Sequence, residues 1–328
     1  MCKRVTIYIR VSALDKMRQM FRSLASWMRN RKDRSVCNLL KMWWDEYEPT
    51  ISETTAHKKC LLIKKHIAPF IGYIPVRKLR AKHLEYLINE TLCTQLECRK
   101  ILNPALNWAV KNKWCRKNIM HDIKKPDYRQ KEIEIYKPEE VERLLAYLTG
   151  RWLWLPVYLS LWTGMRKGEV CGLQWNDVDF EHGFLSVRRS LVSVSPHDIF
   201  IHPPKTKKST RRIDLDKDTI EILRRKKADA KTKWVCEAPR RPDGMPNPWN
   251  ITKMLTGACM AAGIPHHTFH ALRHTHATML LAKEVHPKVV AERLGHSKTD
   301  VTLEIYSHMV PTIQRSAVAA LEAVKKSA

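Results

Sequence analysis

The sequence predicts a mainly α-helical protein of two domains, the second of which also carries a small antiparallel β-sheet and is therefore of the α+β type. Three observations lead to this fold class. Amphipathic helical patterns fill most of the chain, the strand-like segments of the second half are confined to residues 183–215, and a charged stretch with prolines divides the helices near residue 130. At 328 residues the chain is long enough for two domains, each with its own core.

The first half predicts a helical domain after a basic N-terminal segment. Residues 1–34 combine a β-like run at 5–11 with a basic amphipathic stretch. Four segments with helical periodicity follow, and Ser52 or Thr54 could cap the second of them. Together they predict a small, basic, all-helical domain over residues 35–125.

The second half begins after a predicted linker over residues 126–137, which is rich in charge and has little apolar periodicity. Pro138 and the two glutamates after it predict a helix start, because proline suits the first turn and acidic groups suit its positive end. Helices are expected to about residue 174. The segments GFLSVRRSLVSV, DIFIHPP and TRRIDL predict short strands of one small sheet, and helices resume at residues 217–230 and from about 249.

The charge balance indicates a polyanionic partner. Fifty-nine Lys and Arg residues against 33 Asp and Glu give a formal charge of +26. The excess is +8 in residues 1–34, +9 in residues 35–133 and +9 in residues 134–328, so neither half is a neutral domain with a charged tail. A solvated surface explains any single basic run, but an excess of this size in every segment favours binding to nucleic acid.

The cysteines and the apolar stretches indicate a cytoplasmic protein. The nine cysteines are odd in number and form no C-x-x-C pair, which argues against a disulfide framework and a cysteine-based zinc module. The most apolar stretch, WLWLPVYLSLW at residues 152–162, is short and contains Pro156. We therefore expect neither secretion nor a membrane-spanning helix.

The stretch HALRHTHATMLL (residues 270–281) has three competing interpretations. His266, His270 and His274 are four residues apart and would share one helical face, as in a metal site. The histidines could instead be structural, each satisfied by a neighbouring carbonyl. In the third interpretation His270 and Arg273, three residues apart, point together at an anion such as a phosphate.

Three further segments concentrate polar side chains. TGMRKGEVCGLQW places Arg166 and Glu169 three residues apart, so that on a helix the carboxylate can steady the guanidinium. ERLGHSKTDVTLEIYSHM gives His296 after Gly295, which is typical of a helix C-cap, and Tyr306 ten residues later. Taken alone, these are a surface ion pair and a half-buried aromatic residue.

The third segment is PPKTKKSTRRIDL. It places three lysines in a turn between two strands, which alone would be a solvated hairpin tip: Lys205, Lys207 and Lys208.

In chain order, T-G-M-R-K-G-E, K-T-K, H-A-L-R-H-T, L-G-H-S and Y-S-H resemble the catalytic domain of the tyrosine recombinases, the phage integrase family. The likeness covers about residues 134–310, and the helical region before it resembles that family's SAM-like core-binding domain. It implies a two-domain, C-shaped clamp whose catalytic domain spans residues 138–310. For residues 1–34 it leaves a truncated arm-binding region, an atypical one, or none as alternatives.

The resemblance implies roles at a scissile DNA phosphate, and phosphate chemistry supports them. Attack on phosphorus places extra negative charge on the non-bridging oxygens, which two arginines with forked donors can stabilise: Arg166 and Arg273. His270 and His296 would donate further hydrogen bonds or move a proton. Tyr306 would be the nucleophile.

The remaining implied roles are supporting ones. Lys205 would protonate the leaving 5′ oxygen, with Lys207 and Lys208 as rivals for that role, and Glu169 would support the cluster. We also expect DNA contacts from Lys207 and Lys208. Basic side chains of the helical domain are expected to contact DNA as well: Lys58, Lys59, Lys64, Lys65, Arg99 and Lys100.

The implied function is a site-specific recombinase that integrates or excises a mobile element such as a prophage, with neither a metal nor another cofactor. The implied partners are double-stranded attachment-site DNA, three further copies in a tetramer, and a directionality factor and a DNA-bending protein. The C-terminal tail, residues 311–328, is expected to form a helix that docks on a neighbouring copy or covers its own core. Alternatives are a type IB topoisomerase, a DNA protein that only binds, and a histidine-metal nuclease.

Overall fold

The computed structural model describes residues 34–91, 94–124, 134–194, 198–202, 210–239 and 241–295, together with position 325. The chain divides into two compact units, Met1–Gln130 and Lys131–Ala328. Within the described residues both units are mainly helical, and the strands are short and antiparallel, so the predicted fold class is confirmed. The predicted β-like run at 5–11 and tail helix at 311–328 lie outside the described residues.

The described part of the first unit is built from helices. Its α-helices are α1 (Val36–Tyr47), α2 (Glu53–Leu62), α3 (Ala68–Ile71), α4 (Ala81–Glu90) and α5 (Gln95–Lys111). A π-helical turn, Ile63–Ile67, joins α2 to α3, and 3-10 turns lie at Glu48–Thr50, Val76–Lys78 and Ile119–Asp122.

Capping and apolar periodicity explain why these helices form. Ser35 caps α1, since its hydroxyl accepts a hydrogen bond from the Asn38 N–H at 3.4 Å. Leu39, Leu40 and Trp43 then recur on the buried side of the helix. They belong to one hydrophobic core to which all five helices contribute.

The second unit alternates helices and strands. Its elements are α6 (Pro138–Leu148), α7 (Trp154–Thr163), α8 (Lys167–Gly172), a 3-10 turn (Trp175–Asp177), β1 (Val178–Asp179), β2 (Phe184–Val187), β3 (Ser190–Ser193), β4 (Ile199–His202), β5 (Arg211–Asp214), α9 (Lys217–Ala228), α10 (Pro248–Ala261), α11 (Phe269–Ala282) and α12 (Pro287–Leu294). Helix α6 begins at Pro138, as the sequence predicts.

Within the described residues the strands form two sheets, not the single sheet that the sequence predicts. One has the order β1-β2-β5 and pairs Leu185 with Ile213, and the other is the pair β3-β4. The segment GFLSVRRSLVSV is divided between them at Arg188 and Arg189. Arg189 turns inward to bind Asp177 and the Gly172 carbonyl, and the chain leaves the first sheet there.

The described strands on either side of the lysine-rich segment pair with different partners. The lysine-rich segment at 203–209 lies outside the described residues, but the strands before and after it are described. Strand β4 pairs with β3, whereas β5 pairs with β2. Among the described residues these two strands therefore lie in different sheets, and the hairpin tip itself stays a prediction.

Tyr136 belongs to the core of the second unit, although its sequence context places it in the predicted linker. Its side chain is buried, its hydroxyl donates to the His267 carbonyl at 3.2 Å, and its N–H donates to Thr275 Oγ1 at 2.8 Å. The residues around it are charged, so the composition of this stretch gave no sign that its aromatic ring faces inward.

The apolar stretch at residues 152–162 forms α7 and packs inside the second unit. Val157, Leu159 and Leu161 are buried there. In the described part of the chain, every helix is too short or too polar to cross a lipid bilayer.

Candidate active site

The N-terminus of α8 holds Arg166 against Glu169. Helix α7 ends at Gly164, whose φ of +69° turns the chain sharply, and Arg166 becomes the N-cap of α8. Glu169 accepts the Arg166 backbone N–H at 2.9 Å and its Nη1 at 2.8 Å. The contact that the three-residue spacing predicts is therefore present, and it leaves the Arg166 side chain 36% exposed.

Arg273 reaches the same place from α11. Its side chain is buried, with Nη1 donating to the Gly164 carbonyl and Nη2 to the Leu294 carbonyl, both at 2.7 Å. Arg166 Nη2 donates to the carbonyl of Gly295, the next residue, at 3.1 Å. Both predicted phosphate-binding arginines thus meet at the C-terminal end of α12.

Gly295 ends α12 in the left-handed conformation, with φ of +67°, and confirms the predicted C-cap. Its carbonyl is the one that Arg166 binds. His296 follows directly along the chain but lies outside the described residues. The backbone that leads to this histidine is therefore held at Arg166.

Arg211 is a functional candidate that sequence reasoning missed. Its Nη1 and Nη2 bind the two carboxylate oxygens of Glu169 at 3.2 and 2.9 Å, and its Nε donates to the Arg293 carbonyl at 2.6 Å. The burial pattern of β5 alternates, so that Arg211 and Ile213 both face inward. An arginine in phase with the apolar residue of a strand is the signal that could have identified it.

The cluster has more positive than negative charge. In its described part, three guanidinium groups surround one carboxylate: Arg166, Arg211 and Arg273 around Glu169. Burial alone would raise the pKa of Glu169, but the hydrogen bonds and charge of Arg211 and Arg166 outweigh it and lower the pKa to about 2. Glu169 is therefore ionised at neutral pH and neutralises one cation only.

Arg273 experiences that excess charge most strongly. Burial, followed by the positive charge of Arg166, lowers its pKa well below the usual range, and Glu169 offsets this in part. A buried cation among cations is stabilised by a bound anion. The arrangement can therefore bind a phosphate, with Arg166 exposed to receive it.

His270 lies one turn before Arg273 on α11. Its side chain is exposed, and its ring meets that of His274 edge to face, with ring centroids 4.6 Å apart. Partial burial, together with His274, Arg273 and Arg166, lowers the pKa of His270 to about 4. The ring is thus neutral at pH 7 and can donate one hydrogen bond.

His276 has a structural position, which agrees with the second of the three interpretations of this stretch. It is buried, and its Nδ1 lies 2.8 Å from the Leu161 carbonyl while its Nε2 accepts from Arg293 Nε at 3.2 Å. Burial and Arg293 lower its pKa to about 4. The neutral ring joins α7 to α12 beneath the arginine cluster.

The geometry corrects the interpretation of three histidines on one helical face. Helix α11 begins at Phe269, so His266 precedes it and lies against Thr256 Oγ1 at 3.0 Å instead. Within the described ranges, no group of three or more His, Cys, Asp or Glu residues could hold a metal ion.

Several predicted residues fall outside the described part of the chain. They are Lys205, Lys207, Lys208, His296 and Tyr306. Their roles stay predictions.

The predicted DNA contacts of the first unit differ in how they are engaged. Lys58, Lys64 and Lys65 are exposed on α2 and the π-helical turn after it. Lys59 instead donates to the Tyr47 hydroxyl, and Arg99 Nη2 binds the Met120 and Ile123 carbonyls.

Lys100 of α5 is also exposed but pairs with Glu97 at 2.6 Å. Of the six basic residues proposed to contact DNA in this unit, Arg99 has the clearest structural role, because its side chain holds the turn after α5 against that helix.

Comparison with protein families decides the assignment. The model of the phage integrase family matches residues 134–312, more than half of the chain. The chain belongs to the phage integrase family. A second model, that of the N-terminal SAM-like domain of phage integrases, matches residues 37–92 of this chain. The family resemblance found in the sequence is therefore confirmed for both units.

Individual relatives support the assignment. A tyrosine recombinase XerC-like protein of Caldanaerobacter subterraneus is 32% identical over 215 residues, which are 58% of this chain and 54% of the relative. The chain thus spans about half the length of that protein. The ICEBs1 integrase of Bacillus subtilis is 22% identical over 312 residues, which are 88% of this chain and 83% of that one.

Solved structures of integrases share the fold. The Tn1549 transposon integrase in complex with a circular intermediate DNA superposes with a TM-score of 0.70 at 19% identity, covering 86% of this chain and 99% of that one. A lambda integrase dimer bound to a COC′ core site gives 0.65 at 17% identity, covering 81% and 96%.

Proposed function

We propose that this integrase is a site-specific DNA recombinase that breaks and rejoins strands through a 3′-phosphotyrosine, and so integrates or excises a mobile element. The observation that carries the proposal is the cluster of Arg166, Arg211 and Arg273 around the single carboxylate of Glu169. An excess of fixed guanidinium groups suits a phosphodiester whose negative charge grows in the transition state.

The proposed reaction exchanges one phosphoester for another. The Tyr306 oxygen attacks phosphorus and loses its proton, with His296 as the proposed acceptor, while the bond from phosphorus to the 5′ oxygen breaks. Lys205 supplies the proton that the leaving 5′ oxygen takes up. Attack by another 5′ hydroxyl then reverses these steps and releases Tyr306. Because the phosphotyrosine retains the ester bond, neither ATP nor a metal ion is needed.

The described residues would act on the phosphate itself. Arg166 and Arg273 would bind its non-bridging oxygens, and their contacts found in the described structure use two of the five N–H groups of each side chain. His270, neutral at pH 7, would add one hydrogen bond. Lys58, Lys64 and Lys65, together with Lys207 and Lys208, would bind the DNA backbone away from the reacting phosphate.

The proposed assembly is a homotetramer on attachment-site DNA in the cytoplasm of a bacterial host. A lambda integrase tetramer bound to a Holliday junction is among the solved structures that share the fold, with a TM-score of 0.64 over 84% of this chain. We include a directionality factor and a DNA-bending protein as partners on the family resemblance alone.

The deciding experiment is a suicide-substrate assay in EDTA. The protein is incubated with nicked DNA that carries the candidate junction between host and element, and covalent protein–DNA complexes are separated on a denaturing gel. We expect a complex with the wild-type protein and none with Tyr306→Phe. Tyr147→Phe, which changes a half-buried tyrosine of α6 in the same unit, serves as the matched control and should form the complex.

Each alternative gives a different result. A complex that disappears in EDTA would indicate a metal nuclease, and DNA binding without a complex would indicate a protein that only binds. A Tyr306-dependent complex with relaxed circles but no recombinant products would indicate a topoisomerase.

A further inference from the structure

The last carbonyl groups of α12 are bound by three different arginines in succession. Arg211 Nε donates to the carbonyl of residue 293 at 2.6 Å, Arg273 to that of residue 294 at 2.7 Å and Arg166 to that of residue 295 at 3.1 Å. These carbonyls carry the negative end of the helix dipole, so cations are stabilised there.

Arg211 differs from the other two arginines in its second contact. Arg273 also binds the Gly164 carbonyl, whereas Arg211 binds both oxygens of Glu169, the carboxylate that holds Arg166. All three nitrogens of the Arg211 guanidinium are engaged inside the protein, and its side chain is only 6% exposed. It is placed to hold other groups and not to bind DNA.

Gly295 provides the space that Arg211 needs. A Cβ atom at this position would lie 2.9 Å from Arg211 Cδ and 3.1 Å from its Nη1, closer than ordinary van der Waals contact. The glycine therefore serves two purposes, since its φ of +67° also ends the helix. The close approach shows that the end of α12 and the Arg211 side chain are packed as one unit.

We propose that Arg211 is a positioning residue for strand cleavage, which fixes Arg166 through Glu169 and holds the end of α12 from which the chain continues to His296. The proposal rests on the proposed function. Arg211 itself stays away from the phosphate. Without it Glu169 would keep a single guanidinium partner, and Arg166 could leave the orientation in which it binds the reacting phosphate.

Arg211→Lys tests the proposal in a single-turnover cleavage assay. Lysine keeps the charge but cannot bind both oxygens of Glu169 and the Arg293 carbonyl at once. We expect covalent-complex formation at saturating protein to slow by about 10- to 100-fold, the loss typical of a misplaced catalytic group. The protein concentration that half-saturates the DNA should stay unchanged.

A double-mutant comparison separates positioning from general damage. If Arg211 acts through Arg166, Arg211→Lys should have little further effect in a protein that already carries Arg166→Gln. The additional slowing should be less than about threefold, which is roughly the deviation from additivity found between independent sites. An equal slowing of the wild-type and Arg166→Gln proteins would overturn the proposal. An unchanged cleavage rate of Arg211→Lys alone would overturn it too, and so would weaker DNA binding that accounts for the whole loss of rate.

Arg212→Lys is the matched control, because Arg212 is the next residue of β5, is exposed and pairs with Asp214. It should cleave at the wild-type rate.

If Arg211→Lys does not fold, the double variant Arg211→Met/Glu169→Gln takes its place, since it removes both charges of the buried pair together. The same loss of rate and the same insensitivity to Arg166→Gln are expected. A wild-type protein without a Tyr306-dependent complex would instead overturn the proposed function.

Discussion

Glu169 and Asp177 are buried carboxylates of the same unit, and both begin a short helix in the same manner. Each accepts the backbone N–H of the residue three positions earlier at 2.9 Å: Arg166 for Glu169 and Gln174 for Asp177. Each also binds both Nη atoms of an arginine that follows later in the chain, Arg211 and Arg189 respectively.

The two clusters differ in charge. Asp177 has one close guanidinium partner, since Arg188 lies 3.9 Å away and is 59% exposed to water. Glu169 has two close guanidinium partners, and the buried Arg273 adds a third cation. The Asp177–Arg189 pair is balanced in charge and can hold loops together. The Glu169 cluster has a buried excess of positive charge, which a bound anion would stabilise. The charge balance therefore makes Arg189 the structural partner of Asp177, and it makes the arginines around Glu169 the candidates for the proposed chemistry.

The largest effect is expected from Arg189→Met. The variant leaves the Asp177 carboxylate buried without its close partner, which costs about 3–5 kcal/mol in the free energy of unfolding. Urea denaturation of the second unit's transition measures this loss. The control Arg188→Met, at the exposed neighbour, should change the free energy by less than about 0.5 kcal/mol. If the folded fraction of Arg189→Met cleaved more slowly than the wild-type protein, the Asp177 cluster would not be purely structural.

Arg166→Gln should give the opposite pattern. The variant removes a donor to the reacting phosphate, and cleavage should slow by about 10²–10³-fold, or about 2.7–4 kcal/mol of transition-state stabilisation. Its free energy of unfolding should change little, because the side chain is 36% exposed. Single-turnover cleavage and urea denaturation are measured on the same preparation. A large loss of stability with normal cleavage would reverse the roles assigned to the two clusters.

The free energy of unfolding at acidic pH tests the lowered pKa of Glu169. Its pKa is lowered to about 2 in the folded protein from 4.5. A lowered carboxylate pKa stabilises the fold above pH 4.5, and the stabilisation is lost as the pH falls toward 2. Between pH 5 and pH 3 the free energy of unfolding should fall by about 2 kcal/mol on account of this group. Glu169→Gln should remove that part of the pH dependence, and an unaltered acid limb would contradict the assignment.

The smallest effect concerns lysines of the first unit, where the same distinction between paired and unmatched charge applies. Lys65 is exposed, whereas Lys100 is paired with Glu97. Lys65→Gln should lower the salt dependence of DNA binding by about one phosphate contact, a change of about 0.9 in the slope of log K against log salt. Lys100→Gln should change it less. Equal slopes for the two variants would show that pairing in the free protein does not predict DNA contact.

Local patterns in the sequence identified much of the site. Arg166 with Glu169, and His270 with Arg273, are three residues apart within single elements, so helical geometry alone places them together. The C-cap at Gly295 follows equally from a local preference for glycine. The two sheets and the buried Tyr136 did not follow, because strand pairing and core packing depend on residues distant in the chain.

The sequence by itself determined the fold class, the family and the residues that carry the proposed chemistry, because helix periodicity and motif order are properties of neighbouring residues. The tertiary structure alone decided that Arg211 joins Glu169, 42 residues away, and that Arg166 binds the Gly295 carbonyl, 129 residues away. It also removed His266 from the helix that carries His270. Such contacts depend on how separate elements pack, and only their packing brings three cations and one carboxylate to the end of one helix.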